Sequence, residues 1–351
     1  MIVMEPVPIN RLKRVMKKQT INDVARLSGV GKATVSRVFS GSPLVSETTR
    51  EKVLETAREI GYRPNPVARA LTTAKTGNIT IVLPSLQSFV MSQIVRGAMF
   101  AANKNGYSLF VLDSGEDSDK SGADYSNLLH EHASDGVIFC YESARQQMES
   151  VSLRRPVLFL ESTPTKESLD CIRTDNRTGM RLLVEHLSEL GHRRIAAVFG
   201  RRSAYSENRY IHFIAAMEGV GLPVTEDQLL FSNWAIEDGY RDFRSLMELP
   251  FSSRPSAIIF ISDFMATGAL RAAADMGIAV PNEVSIAGTD DAETSAFLIP
   301  KLTTLGFDPH GLGEKSVQQL IRRIQYPDEE ALHLVVPVML RKRGSTGPVR
   351  C

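Results

Sequence analysis

Between Thr20 and Leu71 the apolar positions recur at helical spacing in short blocks separated by breakers. Ile21, Val24, Ala25 and Leu27 share one face of a short helix, and Thr20 followed by Asp23 forms a capping box at its start. Gly29 supplies a tight turn. Gly31 to Phe39 reads as a second short helix, with Val35 and Val38 inward and Lys32, Thr34, Ser36 and Arg37 outward. Pro43 breaks the chain, Ser46 caps a third helix over Glu47 to Ile60, and Gly61 stops it. Val53, Leu54, Ala57 and Ile60 are its core face. Two short helices joined by a glycine turn, the second polar and basic outside, predict a helix-turn-helix whose second helix fits a major groove. Tyr62 to Pro66 is extended, Asn65 caps, and Pro66 opens a last stub, Val67 to Leu71. So short a helix is unstable alone in water. It is expected to order only when something holds it.

After the polar linker 72–78 the pattern changes to a regular beat. Apolar runs at Ile79–Leu83, Ser108–Leu112, Gly136–Cys140, Val157–Leu160, Ile195–Phe199, Ala257–Ile261 and Val284–Gly288 predict buried strands. Between them lie helical patterns: Met91–Asn103, Arg177–Leu190, Asn208–Gly219, Asp263–Met276 and Leu312–Ile324. Buried runs alternating with amphipathic helices mean parallel sheets covered on both faces. There are more runs than one small sheet needs, so two α/β subdomains are the natural division.

Charge sharpens the division. The net charge of +1 over 351 residues hides 14 Lys and Arg against 6 Asp and Glu in residues 1–77, and 27 against 34 in the rest. A basic head on an acidic body suits a polyanion partner for the head alone. Cys140, Cys171 and Cys351 are far apart and lack metal spacing, which fits reduced thiols in a cytoplasm. Residues 1–18 read as a flexible basic leader without the apolar core of a signal peptide, and no segment reaches membrane-spanning length. The seven histidines are scattered. No metal, cofactor or nucleophile–base pair is expected, and the run Gly29-Val30-Gly31-Lys32-Ala33 lacks the earlier glycine and following Ser/Thr of a phosphate loop.

Specific residues carry a resemblance. Asp23-Val24-Ala25, Gly29-Val30, Thr34-Val35-Ser36-Arg37-Val38, Val45-Ser46, Thr49-Arg50, Gly61-Tyr62, Pro64-Asn65 and Val67-Ala68-Arg69 with Leu71 resemble the headpiece of the lactose/purine repressor family. Gly191-His192, Asp263 with Met265-Ala266, Val280-Pro281, Gly288 with Asp290, and Leu302-Thr303-Thr304 extend it over nearly all of the body. The resemblance implies an all-α helix-turn-helix headpiece plus an α/β effector domain of two doubly wound parallel-sheet subdomains, of the periplasmic-binding-protein type. It implies a leader over 1–18, a headpiece over 19–61, a hinge helix and linker over 62–76, and an effector domain over 77–343, followed by a tail over 344–351. Crossovers near Asp175, Leu305 and Leu334 would give one subdomain of 77–176 plus 306–332 and another of 177–305 plus 333–343.

Roles follow by position. For the head the resemblance implies DNA contacts from Thr20, Lys32, Ala33, Thr34, Ser36, Arg37, Asn65, Arg69 and Leu71, with Lys32, Ala33 and Arg37 facing bases and Leu71 wedging a central step of the minor groove. For the cleft it implies Ser85, Met91, Glu161, Arg209, Trp234, Ser262, Asp263 and Asp290. Arg209 would clamp the effector and Trp234 would stack on it, the usual chemistry for a ring bearing hydroxyls. Arg201 and Arg202 hint instead at an acidic ligand. The family often has Asn where this chain has Ser262, an acid one carbon shorter than Glu161, and an aromatic where this chain has Thr289. The partners expected are double-stranded operator DNA bound by a homodimer, and a sugar or sugar acid, with a nucleobase or nucleoside also possible. Two other classes compete: an extracytoplasmic sugar receptor, disfavoured by the basic head, and an α/β sugar or nucleotide enzyme, disfavoured because no Gly-x-Gly-x-x-Gly follows the first strand.

Overall fold

The computed structural model describes residues 19–63, 75–114, 134–141, 155–162, 164 and 166–349. The leader, the stub Val67–Leu71 and Cys351 lie outside them. The chain forms two compact units, Met1–Thr76 and Gly77–Cys351.

In the first unit α1 (Ile21–Ser28), α2 (Lys32–Phe39) and α3 (Glu47–Glu59) enclose a small core of Val24, Val35, Val38, Val53 and Ala57. The capping residues work as expected: the Thr20 amide and hydroxyl donate to Asp23 Oδ2 at 3.0 and 2.8 Å, and Ser46 Oγ accepts from the Thr49 amide. The hydrogen bonds from Thr20 hold the Asp23 carboxyl below its usual range. Gly29, at φ 68°, closes α1 in the left-handed region where a glycine costs nothing. One expectation fails: Leu27 is 51 % exposed. The buried stripe instead runs through Val24 and Ser28, whose hydroxyl is satisfied by the Val24 carbonyl at 2.6 Å. Leu27 is about 100° around the helix from Ser28 and so falls off that stripe.

The second unit holds two six-stranded sheets. Sheet one has the order β11-β5-β4-β3-β1-β2, from His333–Val336, Asp170–Thr174, Val157–Leu160, Gly136–Cys140, Asn78–Leu83 and Ser108–Asp113. Sheet two has the order β12-β10-β9-β8-β6-β7, from Met339–Arg341, Thr303–Gly306, Ser285–Asp290, Ala257–Phe260, Ile195–Phe199 and Leu229–Phe231. All pairs are parallel except β12, which runs antiparallel to β10. The central strands β3, β4, β6 and β8 are buried throughout, as strands covered on both faces must be.

Helices cover the sheets. On sheet one α4 (Phe89–Lys104) packs against α9 (Pro309–Gln325) so closely that a Cβ on Gly97 would sit 1.9 Å from the His310 carbonyl oxygen. On sheet two α5 (Asn176–Glu189) and α6 (Ala204–Gly219) cover one face, and α7 (Ile236–Met247) and α8 (Asp263–Asp275) the other. The period-2 alternation within β1 sends Ile79 and Ile81 to the α4 side and Val82 to a second cluster with Phe139 and Phe159.

The chain passes between the sheets after β5, after β10 and between β11 and β12. The last crossing is displaced from the expected boundary at residue 333. His333–Val336 stays in sheet one, pairing Val336 with Thr174, and only Met339–Arg341 joins sheet two. Pro337 separates them; it has no N–H to continue the ladder.

Nor is the terminal segment a loose tail. Ser345 is fully buried, accepts from the Thr303 amide at 2.8 Å and donates to the Ile286 carbonyl at 2.6 Å. His192 is held between Ser256, Ser285 and the Gly347 carbonyl, each at 3.0 Å. With its proton on Nε2 the ring donates to that carbonyl and accepts from Ser256, and burial keeps it neutral by lowering its pKa.

Candidate functional sites

The first candidate is the outer face of α2. Its alternation leaves Val35 and Val38 in the core and Lys32, Ala33, Ser36 and Arg37 exposed, while Thr34 is half-buried. Among the described residues Lys32 and Arg37 make no ion pair, whereas Arg26 pairs with Asp23 at 3.3 Å and Arg50 with Glu47 at 3.4 Å. The two cations of α2 therefore remain available to an anionic surface. Thr20 is exposed, with its hydroxyl turned to Asp23. Asn65, Arg69 and Leu71 lie outside the described residues.

The second candidate lies where strands of both sheets end. Tyr141 follows β3, Glu161 follows β4 and Asp290 closes β9. Among the described residues the only non-glycine positions with positive φ are these three and Asp291: Tyr141 and Glu161 at 57°, Asp290 at 125° and Asp291 at 51°. Backbone held in that region costs on the order of 1–3 kcal/mol per residue and persists where the surroundings over-determine it, commonly at ligand sites.

Arg209, from α6, is the cation among these groups and is 5 % exposed. Its Nε donates to Asn176 Oδ1 at 3.1 Å, and its Nη1 donates to the Ile261 carbonyl at 2.9 Å and to the Thr289 hydroxyl at 3.0 Å. Its charge interacts with Tyr205, Asp290, Tyr141 and Glu161, joining residues of both subdomains. Burial raises Glu161, offset by hydrogen bonds from Thr174 to both carboxylate oxygens at 2.7 and 2.9 Å and by Arg209.

The aromatic wall is wider than the sequence reveals. Tyr205 meets Tyr141 edge-on at 4.3 Å, stacks beneath the Arg209 guanidinium at 4.6 Å, and lies 5.9 Å from Trp234. Trp234 fits only because residue 200 is glycine: a Cβ there would come within 2.2 Å of the indole. Tyr141 and Tyr205 carry no motif, and only tertiary placement brings them to Arg209.

Four expected effector residues make other contacts here. Met91 is 2 % exposed and belongs to the core between α4 and sheet one. Its helix begins at Phe89, which turns Met91 inward. Asp263 spends its carboxylate on Thr304 at 2.6 Å, Ser295 at 2.6 Å and the Ala292 amide at 2.9 Å, fixing the loop after β9. The Ser85 hydroxyl accepts from the Gln87 amide at 3.2 Å and shapes its own turn. Ser262 caps α8 and its hydroxyl bonds Asp290. Asp175 caps α5, and Asp291 pairs with Arg343 at 2.5 Å.

Burial and the nearby Asp263 carboxylate push Asp290 up to about 8, against the pull of Arg209. Asp263 moves in the same direction, chiefly through burial. The unfolded chain releases these protons first, so effector-free stability is expected to fall as pH rises from the ordinary aspartate range toward 8 and to level off above it. Asp290→Asn, which mimics the protonated acid, should flatten that slope when thermal midpoints are measured from pH 5 to pH 9. An unchanged slope would mean that Asp290 does not hold the proton.

Among the described residues no helix is long and apolar enough to cross a membrane, and no group of three or more His, Cys, Asp or Glu could hold a metal.

Residues 20–65 match the model of bacterial regulatory proteins of the lacI family, and residues 184–346 match a periplasmic binding protein-like domain. The chain is 30 % identical over 93 % of its length, and 99 % of the relative's, to the HTH-type transcriptional regulator RegA of Clostridium saccharobutylicum. It is 29 % identical to the ribose operon repressor of Haemophilus influenzae, covering 90 % of this chain and 95 % of that one. The crystal structure of the lac repressor dimer bound to operator and the anti-inducer ONPF superposes with a TM-score of 0.81 at 29 % identity, covering 94 % of this chain and all of that one. Helix-turn-helix, two-sheet body and chain-long similarity agree: this protein belongs to the lacI family of bacterial regulatory proteins and is a transcriptional regulator with an effector-binding domain, not an enzyme.

Proposed function

We propose that the protein is a repressor of a catabolic operon, binding a roughly palindromic operator as a homodimer and responding to a small sugar or sugar acid held between the two sheets. The observation that carries the effector reading is the group Arg209, Asp290, Glu161 and Tyr205, drawn from strand ends and a helix of both subdomains. A ligand bridging such groups favours one arrangement of the subdomains over another. Coupling of that kind requires only a differential affinity, typically about 1–3 kcal/mol. The relatives give support: one is a ribose operon repressor, and the lac repressor structure is a dimer on operator. A nucleobase or nucleoside is the second ligand class to include.

The operator reading rests on the exposed Lys32 and Arg37 of α2 and on the basic first 77 residues. Gel-shift titration on genomic fragments, with and without a panel of sugars, sugar acids and nucleosides, tests both halves. DNA binding that no compound alters would remove the effector half, and no sequence-specific shift would remove the other.

Paired stubs carrying Leu71 would dock in the minor groove and kink a central step. Leu71→Ala should therefore weaken operator binding and straighten the DNA, as read by circular-permutation gel mobility. Full affinity on an unbent operator would rule the wedge out.

A further inference from the structure

How Arg209 is held bears on the charge of the ligand. A guanidinium grips a carboxylate or phosphate with two parallel N–H donors from neighbouring nitrogens. Here Nε is committed to Asn176 at 3.1 Å, and both hydrogens of Nη1 are committed, to Ile261 at 2.9 Å and Thr289 at 3.0 Å. Among the described residues Nη2 has no hydrogen-bond partner. Each possible fork has one arm taken. What remains is two hydrogens on a single nitrogen, which suits two neighbouring hydroxyl oxygens better than a carboxylate.

The surrounding charges point the same way. Glu161 already acts on Arg209, so an anionic ligand would meet a carboxyl beside the one cation, while Asp290, which holds its proton to about 8, offers a ligand hydroxyl a partner. Arg201 and Arg202, the sequence hint of an acidic ligand, are engaged elsewhere: Arg201 with Asn233 at 2.5 Å, and Arg202 over the Phe231 ring at 4.2 Å and beside Glu207 at 3.5 Å. The Tyr205–Trp234 wall offers an apolar surface for the C–H face of a ring.

We infer that the cleft takes an uncharged polyhydroxy ring and discriminates against its carboxylate and phosphate derivatives, with Thr289 setting that selectivity by occupying one arm of the Arg209 fork. The inference rests on the effector-site reading above and narrows it to neutral sugars. A phenylalanine or tryptophan at residue 289 would offer no such acceptor; the threonine hydroxyl does.

The test is calorimetric titration of the full-length protein with D-glucose and D-galactose, each beside its uronic acid and its sugar phosphate, and with D-ribose beside its phosphate. At least one neutral sugar should bind about tenfold or more tightly than its charged derivatives. Thr289→Val, which removes the acceptor at similar volume, should shrink that ratio several-fold, and Thr289→Ser should restore it. A charged derivative that binds as tightly as its parent, a panel in which no neutral sugar binds, or a ratio untouched by Thr289→Val overturns the inference. A sugar that binds Arg209→Ala as well as the wild type is a different failure, because it places the ligand elsewhere and removes the effector-site reading itself.

Discussion

Replacing Arg209 by alanine is expected to lower effector affinity by about thirtyfold or more while leaving operator binding in place and unresponsive. The guanidinium is buried, makes three hydrogen bonds through Nε and Nη1, and is the charge on which Glu161, Asp290 and both tyrosines act. Truncating one member of a buried, hydrogen-bonded charge group typically costs about 2–5 kcal/mol, much of it from the groups left behind. At about 1.4 kcal/mol per factor of ten, that is roughly thirtyfold to several thousandfold. The headpiece has its own core of Val24, Val35, Val38, Val53 and Ala57, so its fold does not depend on Arg209. Titration calorimetry reads the first effect and effector-dependent gel shifts the second. Wild-type affinity in the variant would show that the cluster is not where the effector binds. Thermal unfolding belongs beside it, since the lost bonds to Asn176, Ile261 and Thr289 also tie α6 to its neighbours.

Arg37→Ala is expected to produce the second large loss, in operator discrimination. Arg37 is exposed on α2 between the core residues Val35 and Val38, whose burial fixes the direction of its stem. Bidentate donation to a guanine is worth about 1–3 kcal/mol of discrimination. In a dimer the loss occurs once per half-site. Competition between operator variants should show preference relaxed at one base pair in each half. Lys32→Ala should instead weaken all sequences more evenly if that lysine binds phosphate, with a shallower salt dependence. Unchanged affinity and salt slope in Arg37→Ala would remove α2 from the groove.

Both predictions involve residues that could be read from the chain. Thr20 with Asp23, Gly29 and Ser46 punctuate the headpiece through local hydrogen bonds and one left-handed turn, interactions that span three residues or fewer. The strands were equally legible where they are buried on both faces, because burial leaves continuous apolar runs. β5, β7, β10, β11 and β12 were not, being only three to five residues long and partly exposed or polar. Helix α7 was also missed, although Phe243, Leu246 and Met247 mark its inner face.

The cleft was half legible. Arg209, named from its position in the chain, is acted on by Glu161 and Asp290, and Trp234 lies 5.9 Å from the Tyr205 ring beside it. Met91 is buried in the core and Asp263 is bonded to Thr304, Ser295 and Ala292, because a residue near a strand end is not thereby turned toward the cleft. A helix phase decides for Met91, and three donors converging on one carboxylate decide for Asp263.

The sequence by itself determined the three headpiece helices, the polar outer face of α2, and the alternation of buried strand with amphipathic helix, since each depends on neighbours within a few residues. Only the tertiary structure decided that β11 stays in sheet one, that residues 344–349 are woven into sheet two, and that Tyr141, Tyr205 and Thr289 surround Arg209. Those outcomes depend on which of many long-range pairings satisfies the most buried donors and acceptors at once. A run of residues does not record that competition, because most of its terms come from distant parts of the chain.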